Sequence, residues 1–89
     1  MAPLESLPYI GQAIAADLRA MGIATPDQLR GCDPLFTYGL LAEPMGHRHA
    51  PCVLSTLLAV EYFLATGETR LWWSFTAQAK RLLAAQSSG

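Results

Sequence analysis

The chain has 89 residues, enough for one small domain that buries about 60–65% of the surface its unfolded state exposes. Fifty-two per cent of its residues are apolar, which excludes a disordered chain. Six basic and seven acidic side chains leave a net charge of −1. That excludes a general-purpose nucleic-acid coat protein, because non-specific affinity rests on clustered Lys and Arg.

The N-terminal "MAPLES" has no basic region and no apolar stretch, so it does not read as a secretory signal. Apolar runs such as "VLSTLLAV" are broken by polar residues and too short to span a bilayer. The expectation is a cytoplasmic domain with no membrane contact. "LPYIGQAIAADL" then reads as a tight turn that enters a helix. Ile10, Ile14, Leu18 and Met21 recur at spacings of four, four and three and mark one helix face. Gly22 supplies the left-handed residue after the last turn, and Ile23 folds back as its apolar contact. In "TPDQL", Thr25 caps a short second helix, Pro26 starts it, and Gln28 completes a capping box. Gly31 closes it.

"CDPLFTYGLLAEP" repeats the device: Asp33 caps, Pro34 starts, and Leu35, Tyr38 and Leu41 form the apolar stripe, with Gly39 a weak point. Pro44 is expected to end that helix before a turn through "MGHRHA". Pro51 opens a helix that is apolar almost all round, so it should be the central, buried one, ending at Gly67. "ETRLWWSF" reads as a connector, and Thr76 as the cap of a last helix. The pattern predicts an all-α fold, a compact bundle of about five helices forming one domain over residues 1–86, with 87–89 as a frayed tail.

Charge is unevenly spread. Residues 1–34 hold Glu5, Asp17, Asp27 and Asp33 against Arg19 and Arg30, whereas residues 68–89 hold Arg70, Lys80 and Arg81 against Glu68. A basic face, if present, is built by the last helix.

The opening stretch, with Leu7, Pro8, Ile10, Gly11, Ala15 and Leu18 in place, resembles the hairpin and second helix of a helix-hairpin-helix module. Gly11 lacks a Cβ and lies where amides at a helix N-terminus point outward, so a phosphate could approach closely. Contacts of that kind go to the sugar–phosphate backbone and carry little sequence information. The residues implied are Pro8, Tyr9, Ile10, Gly11 and Gln12, supported by Arg19, Arg48 or the Lys80–Arg81 pair. Tyr9 stands where the pattern has its first glycine, Gln12-Ala13 stand where such hairpins often offer a cation, and only "MAPLES" precedes the turn. A purely structural turn is the competing reading.

A wider resemblance is carried by "LPYIGQAIAADLRAMGIATPDQLRGCDP", "GHRHAPCVL" and "WWSFTAQAKR" in this order. Together they are similar to the small bacterial "pathogenicity locus" family of helix-hairpin-helix proteins, some of whose members carry the label mitomycin resistance protein. The resemblance implies a helix-hairpin-helix or SAM-like helical fold, a role near DNA, and no catalytic residues. The chain departs from that pattern at Tyr9, where a small polar residue is usual. It departs again at Ala50, where an Asp usually precedes the Pro-Cys pair; the loss removes a helix cap worth about 1 kcal/mol.

His47, His49, Cys52 and Cys32 are the right residue types for tetrahedral zinc, but the usual paired spacings are absent. Two solvated histidines and two reduced, mostly buried thiols fit better, with Cys52 pointing inward from its helix. Cys52 with a nearby His is the one nucleophile–base pair on offer, and no third group orients it, so neither enzyme nor cofactor is expected. Trp72 and Trp73 fit a core or interface role, one capping the core and the other exposed, although aromatics also stack on unpaired bases. Tyr62, Phe63 and Leu64 read as core. Two functions stay open: a DNA-backbone-binding module, or a protein-interaction module that self-associates through the Trp pair.

Overall fold

A computed structural model describes residues 3–87, with the side chains of Arg48, Gln86 and Ser87 left aside. The order is a 3₁₀ turn (Leu4–Ser6), α1 (Gln12–Ala20), α2 (Pro26–Arg30), α3 (Pro34–Leu40), α4 (Ala42–Met45), a 3₁₀ turn (Gly46–Arg48), α5 (Pro51–Thr66), a 3₁₀ turn (Trp72–Phe75) and α6 (Thr76–Ser87). No strand occurs among the described residues, so the all-α expectation is met with six α-helices rather than about five.

Local signals set most of these boundaries. At the end of α1 the Ile23 amide donates to the Leu18 carbonyl and the Gly22 amide to that of Arg19, both at 3.0 Å. This is the paired bonding of a Schellman cap, and Gly22 provides the positive φ of +90° that it requires. The capping box of α2 is complete: Gln28 N donates to Thr25 Oγ1 at 3.3 Å, and Thr25 N to Gln28 Oε1 at 3.1 Å. Asp33 Oδ2 accepts from Phe36 N at 3.0 Å at the start of α3. Gly67, at φ +79°, ends α5 and donates to the Phe63 carbonyl.

The centre of the molecule is α5. Eight consecutive residues, Val53 to Val60, are buried, because α2, α3, α6 and the Trp turn all pack around it. A helix enclosed this way gains nothing from an amphipathic stripe, and its sequence has none. Leu4, Leu18, Leu41 and Leu54 are fully enclosed in one cluster that continues into α1 and α3. The radius of gyration, 12.3 Å, matches the value of about 12 Å for a compact chain of this length.

Four expectations are corrected. Pro44 does not end a helix; it lies in the first turn of α4, where the missing N–H costs no hydrogen bond. Thr76 has helical dihedrals (φ −60°, ψ −42°) and is no cap; the 3₁₀ turn runs straight into α6 from an extended Leu71. Tyr62, Phe63 and Leu64 are half-buried rather than enclosed, with Phe63 and Leu64 packed against the edge of the core. Cys52, in the first turn of α5, is exposed rather than inward-pointing, and Cys32 is half-buried. α6 runs through Ser87, and Ser88 and Gly89 of the tail expected at 87–89 lie outside the described residues. Ala50 does leave α5 without a side-chain cap.

Candidate nucleic-acid interface

The hairpin is a turn over Leu7, Pro8, Tyr9 and Ile10, closed by the Ile10 amide donating to the Leu7 carbonyl at 3.3 Å. Pro8 at the second position followed by a positive φ of +65° at Tyr9 is the pattern of a type II turn. Such turns ordinarily place glycine third, because a Cβ crowds the backbone at positive φ. Here tyrosine takes the positive-φ position. Leu7 and Ile10 anchor the turn in the core, while the Tyr9 ring stays 37% exposed.

Beyond the turn, Gly11 precedes α1 with extended dihedrals (φ −89°, ψ −177°) that any residue can adopt. A Cβ built there meets nothing within 4 Å. No side chain caps α1, so the amides of Gln12, Ala13 and Ile14 have no partner within the helix. Gly11 and Gln12 are exposed. The result is an open group of backbone donors at the positive end of a nine-residue helix, the physical requirement for an anion site.

Arg19 is not free beside it. Its guanidinium forms a two-pronged bond with Glu5, Nη2 to Oε1 at 2.7 Å and Nη1 to Oε2 at 3.1 Å. Arg19 holds the Glu5 carboxyl below its ordinary pKa, chiefly by these hydrogen bonds and further by its charge. The pair clips the Leu4–Ser6 turn onto α1. The partners stand fourteen positions apart, which leaves no local sequence signal for the pair.

Lys80 and Arg81 are exposed on α6, which packs on α5 and on the Trp turn; α1 packs on the first 3₁₀ turn and on α4. The hairpin and the α6 cations therefore sit in different packing neighbourhoods. Arg48 ends the turn Gly46–Arg48, its side chain among those left aside. Trp73 is 55% exposed and Trp72 is half-buried, lining a groove with Cys52 and Ala79.

The His/Cys loop is dispersed by its own contacts. His49 Nε2 donates to the Tyr38 carbonyl at 2.7 Å, and its ring stacks on that of Tyr38 at 4.0 Å, so it ties the end of α3 to the approach to α5. Burial, and then the nearby Cys52 thiol, push the Tyr38 hydroxyl up. His47 is exposed, not half-buried like His49, and Cys32 Sγ donates to the Gln28 carbonyl at 3.3 Å. Among the described residues no group of three or more His, Cys, Asp or Glu is arranged to hold a metal ion. No helix among them is long and apolar enough to cross a membrane.

Turn, uncapped helix and helical core belong to one small all-helical domain. The sequence profile of the Cdd1, or pathogenicity locus, family matches residues 1–81, and the chain belongs to that family. It is also similar to the mitomycin resistance protein McrB of Streptomyces lavendulae, with 32% identity over 83 residues, covering 93% of this chain and 79% of that protein. No solved structure matches.

Proposed function

We propose that the chain is a non-enzymatic helix-hairpin-helix module that binds the DNA sugar–phosphate backbone weakly and without sequence preference, in support of DNA-damage (mitomycin) resistance. The observation that carries the proposal is the start of α1: an exposed Gly11 with open space where a Cβ would stand, followed by amides that no side chain caps. The relative named for mitomycin resistance supports the biological setting. A phosphate would accept from the Gln12, Ala13 and Ile14 amides and meet the positive helix end. With Arg19 paired to Glu5, no nearby side chain is needed for the contact and none adds much charge to it. Affinity should therefore fall in the range of about 10⁻⁶ to 10⁻⁴ M.

Replacing Gly11 by Glu tests this directly. The extended dihedrals and open surroundings of Gly11 let the variant fold, while the new carboxylate occupies the anion's place and repels it. Duplex binding at low salt is expected to fall at least tenfold with helicity unchanged. A well-folded Gly11→Glu variant that binds duplex DNA like wild type would make the hairpin a structural turn.

A protein-interaction or self-association module that keeps the hairpin fold has its own support. Phe36, 64% exposed, and Leu40 lie one turn apart on one face of α3. Sedimentation across the micromolar range distinguishes the two: a dimer lost on Phe36→Ser, together with no DNA binding, would favour this role.

A further inference from the structure

The opposite end of the packing scheme carries a surface that the hairpin proposal does not use. Leu71 and Trp73 are 51% and 55% exposed, side by side on the turn that leads into α6. Trp73 is nonetheless held in place. The Trp72 ring meets it edge to face, with centroids 5.7 Å apart and planes at 83°. Ser74 fastens the turn from both its amide (3.0 Å) and its hydroxyl (2.6 Å) to the Leu71 carbonyl. An aromatic face that is fixed and half bare is prepared to stack on a flat partner at little entropic cost.

The charge around it is one-sided. From Thr69 to the C-terminus the chain carries Arg70, Lys80 and Arg81 and no acidic side chain. Glu68, just before this segment, accepts from the Tyr62 hydroxyl at 3.3 Å, and the Arg70 guanidinium lies 5.2 Å from the Tyr62 ring centroid. Trp73, Ala77 and Lys80 are all exposed, and Ala77 and Lys80 lie three residues apart on one face of α6. Lys80 also edges a mostly apolar groove of about 250 Å³ between α5 and α6, walled by Trp72 and Cys52. An exposed indole on a segment that carries cations and no acidic side chain matches a chain of flat rings joined by phosphates.

We propose that the Trp turn and α6 form a binding surface for single-stranded DNA, with an unpaired base stacked on Trp73 and the adjoining phosphates on Lys80 and Arg81. A duplex keeps its base faces inside its own stack, so this surface selects strands whose bases are free. The site is separate from the hairpin and does not depend on it.

Oligothymidylate and a duplex of equal length serve as probes at low salt, read by tryptophan fluorescence and by polarisation of labelled DNA. Oligothymidylate should quench the wild-type emission saturably. Trp73→Ala should weaken oligothymidylate binding about tenfold or more, with helicity and thermal midpoint retained, and Trp73→Phe should keep most of the affinity. Gly11→Glu should bind oligothymidylate within about twofold of wild type even where its duplex binding is lost, so the two proposals fail separately. Unchanged oligothymidylate binding by Trp73→Ala would overturn the proposal. So would its loss in Gly11→Glu, which would put single strands on the hairpin. A Trp73→Ala change that only converts a dimer to monomer would make the surface a protein interface and equally overturn it.

Discussion

The hairpin and α6 offer an anion opposite kinds of surface. At the hairpin the donors are uncharged backbone amides, and the α1 cation Arg19 is bonded to Glu5. On α6 the donors are the side-chain cations Lys80 and Arg81, beside an exposed tryptophan. The difference separates geometry from charge. Amide donors are placed by the fold and release few counterions when they bind, whereas each Lys or Arg on a phosphate adds to the salt dependence. The two proposed surfaces of a chain of net charge −1 would thus respond differently to salt.

The largest expected effect breaks the α6 half. Replacing both Lys80 and Arg81 by Ala should lower the slope of log affinity against log salt for oligothymidylate by about 1.4, at about 0.7 for each lost phosphate contact. Duplex binding at the hairpin should keep its slope. Titrations at several salt concentrations measure both; equal changes for the two ligands would mean that one surface serves both.

The next effect sharpens the hairpin half. Tyr9 holds a positive φ that costs a non-glycine residue about 1–2 kcal/mol, part of it offset by the greater chain entropy glycine loses on folding. Tyr9→Gly should stabilise the fold by about 0.5–1 kcal/mol in denaturant unfolding, without reducing duplex binding. A destabilised variant would show that the tyrosine ring contributes more packing than its exposure indicates.

These caps and turns were legible because their partners lie within a few residues. Thr25 with Gln28, Asp33 with Phe36, and Gly22 with Arg19 each form a local hydrogen bond that the residue types announce. The central helix was legible from its continuous apolar sequence. Pro44 and Thr76 were not, because proline is as comfortable in a first helical turn as after a last one. A threonine caps only where the preceding turn lets its backbone extend, and the Trp turn does not. At the candidate site, the turn and the open Gly11 followed from Pro, Gly and apolar spacing. The Glu5–Arg19 pair did not, since it depends on how the first turn folds back onto α1. The exposure of Cys52 was equally hidden, being set by where α6 leaves α5 uncovered.

The smallest expected effect lies away from both surfaces and serves as their control. Partial burial, and after it the charge of Asp33, raise the pKa of Glu61. The folded state therefore holds this proton more tightly than the unfolded chain. Its contribution favours folding at acid pH and is lost as pH rises from the ordinary carboxylate value through the raised one. Glu5 acts in the opposite sense: its lowered pKa contributes stability above the ordinary value that is lost as pH falls through the lowered one. Glu61→Gln should raise stability slightly at neutral pH, and its unfolding midpoint should gain less on acidification than that of wild type. DNA binding should not change, and a change would link α5 to the hairpin.

The most direct measurement is an amide-resolved NMR titration of the protein with a short duplex at low and moderate salt. Saturable shifts should appear at the amides of Ile10 to Ile14, with small salt dependence, while Lys80 and Arg81 remain nearly unmoved until single-stranded DNA replaces the duplex. Duplex-induced shifts absent from Ile10 to Ile14 would contradict the account.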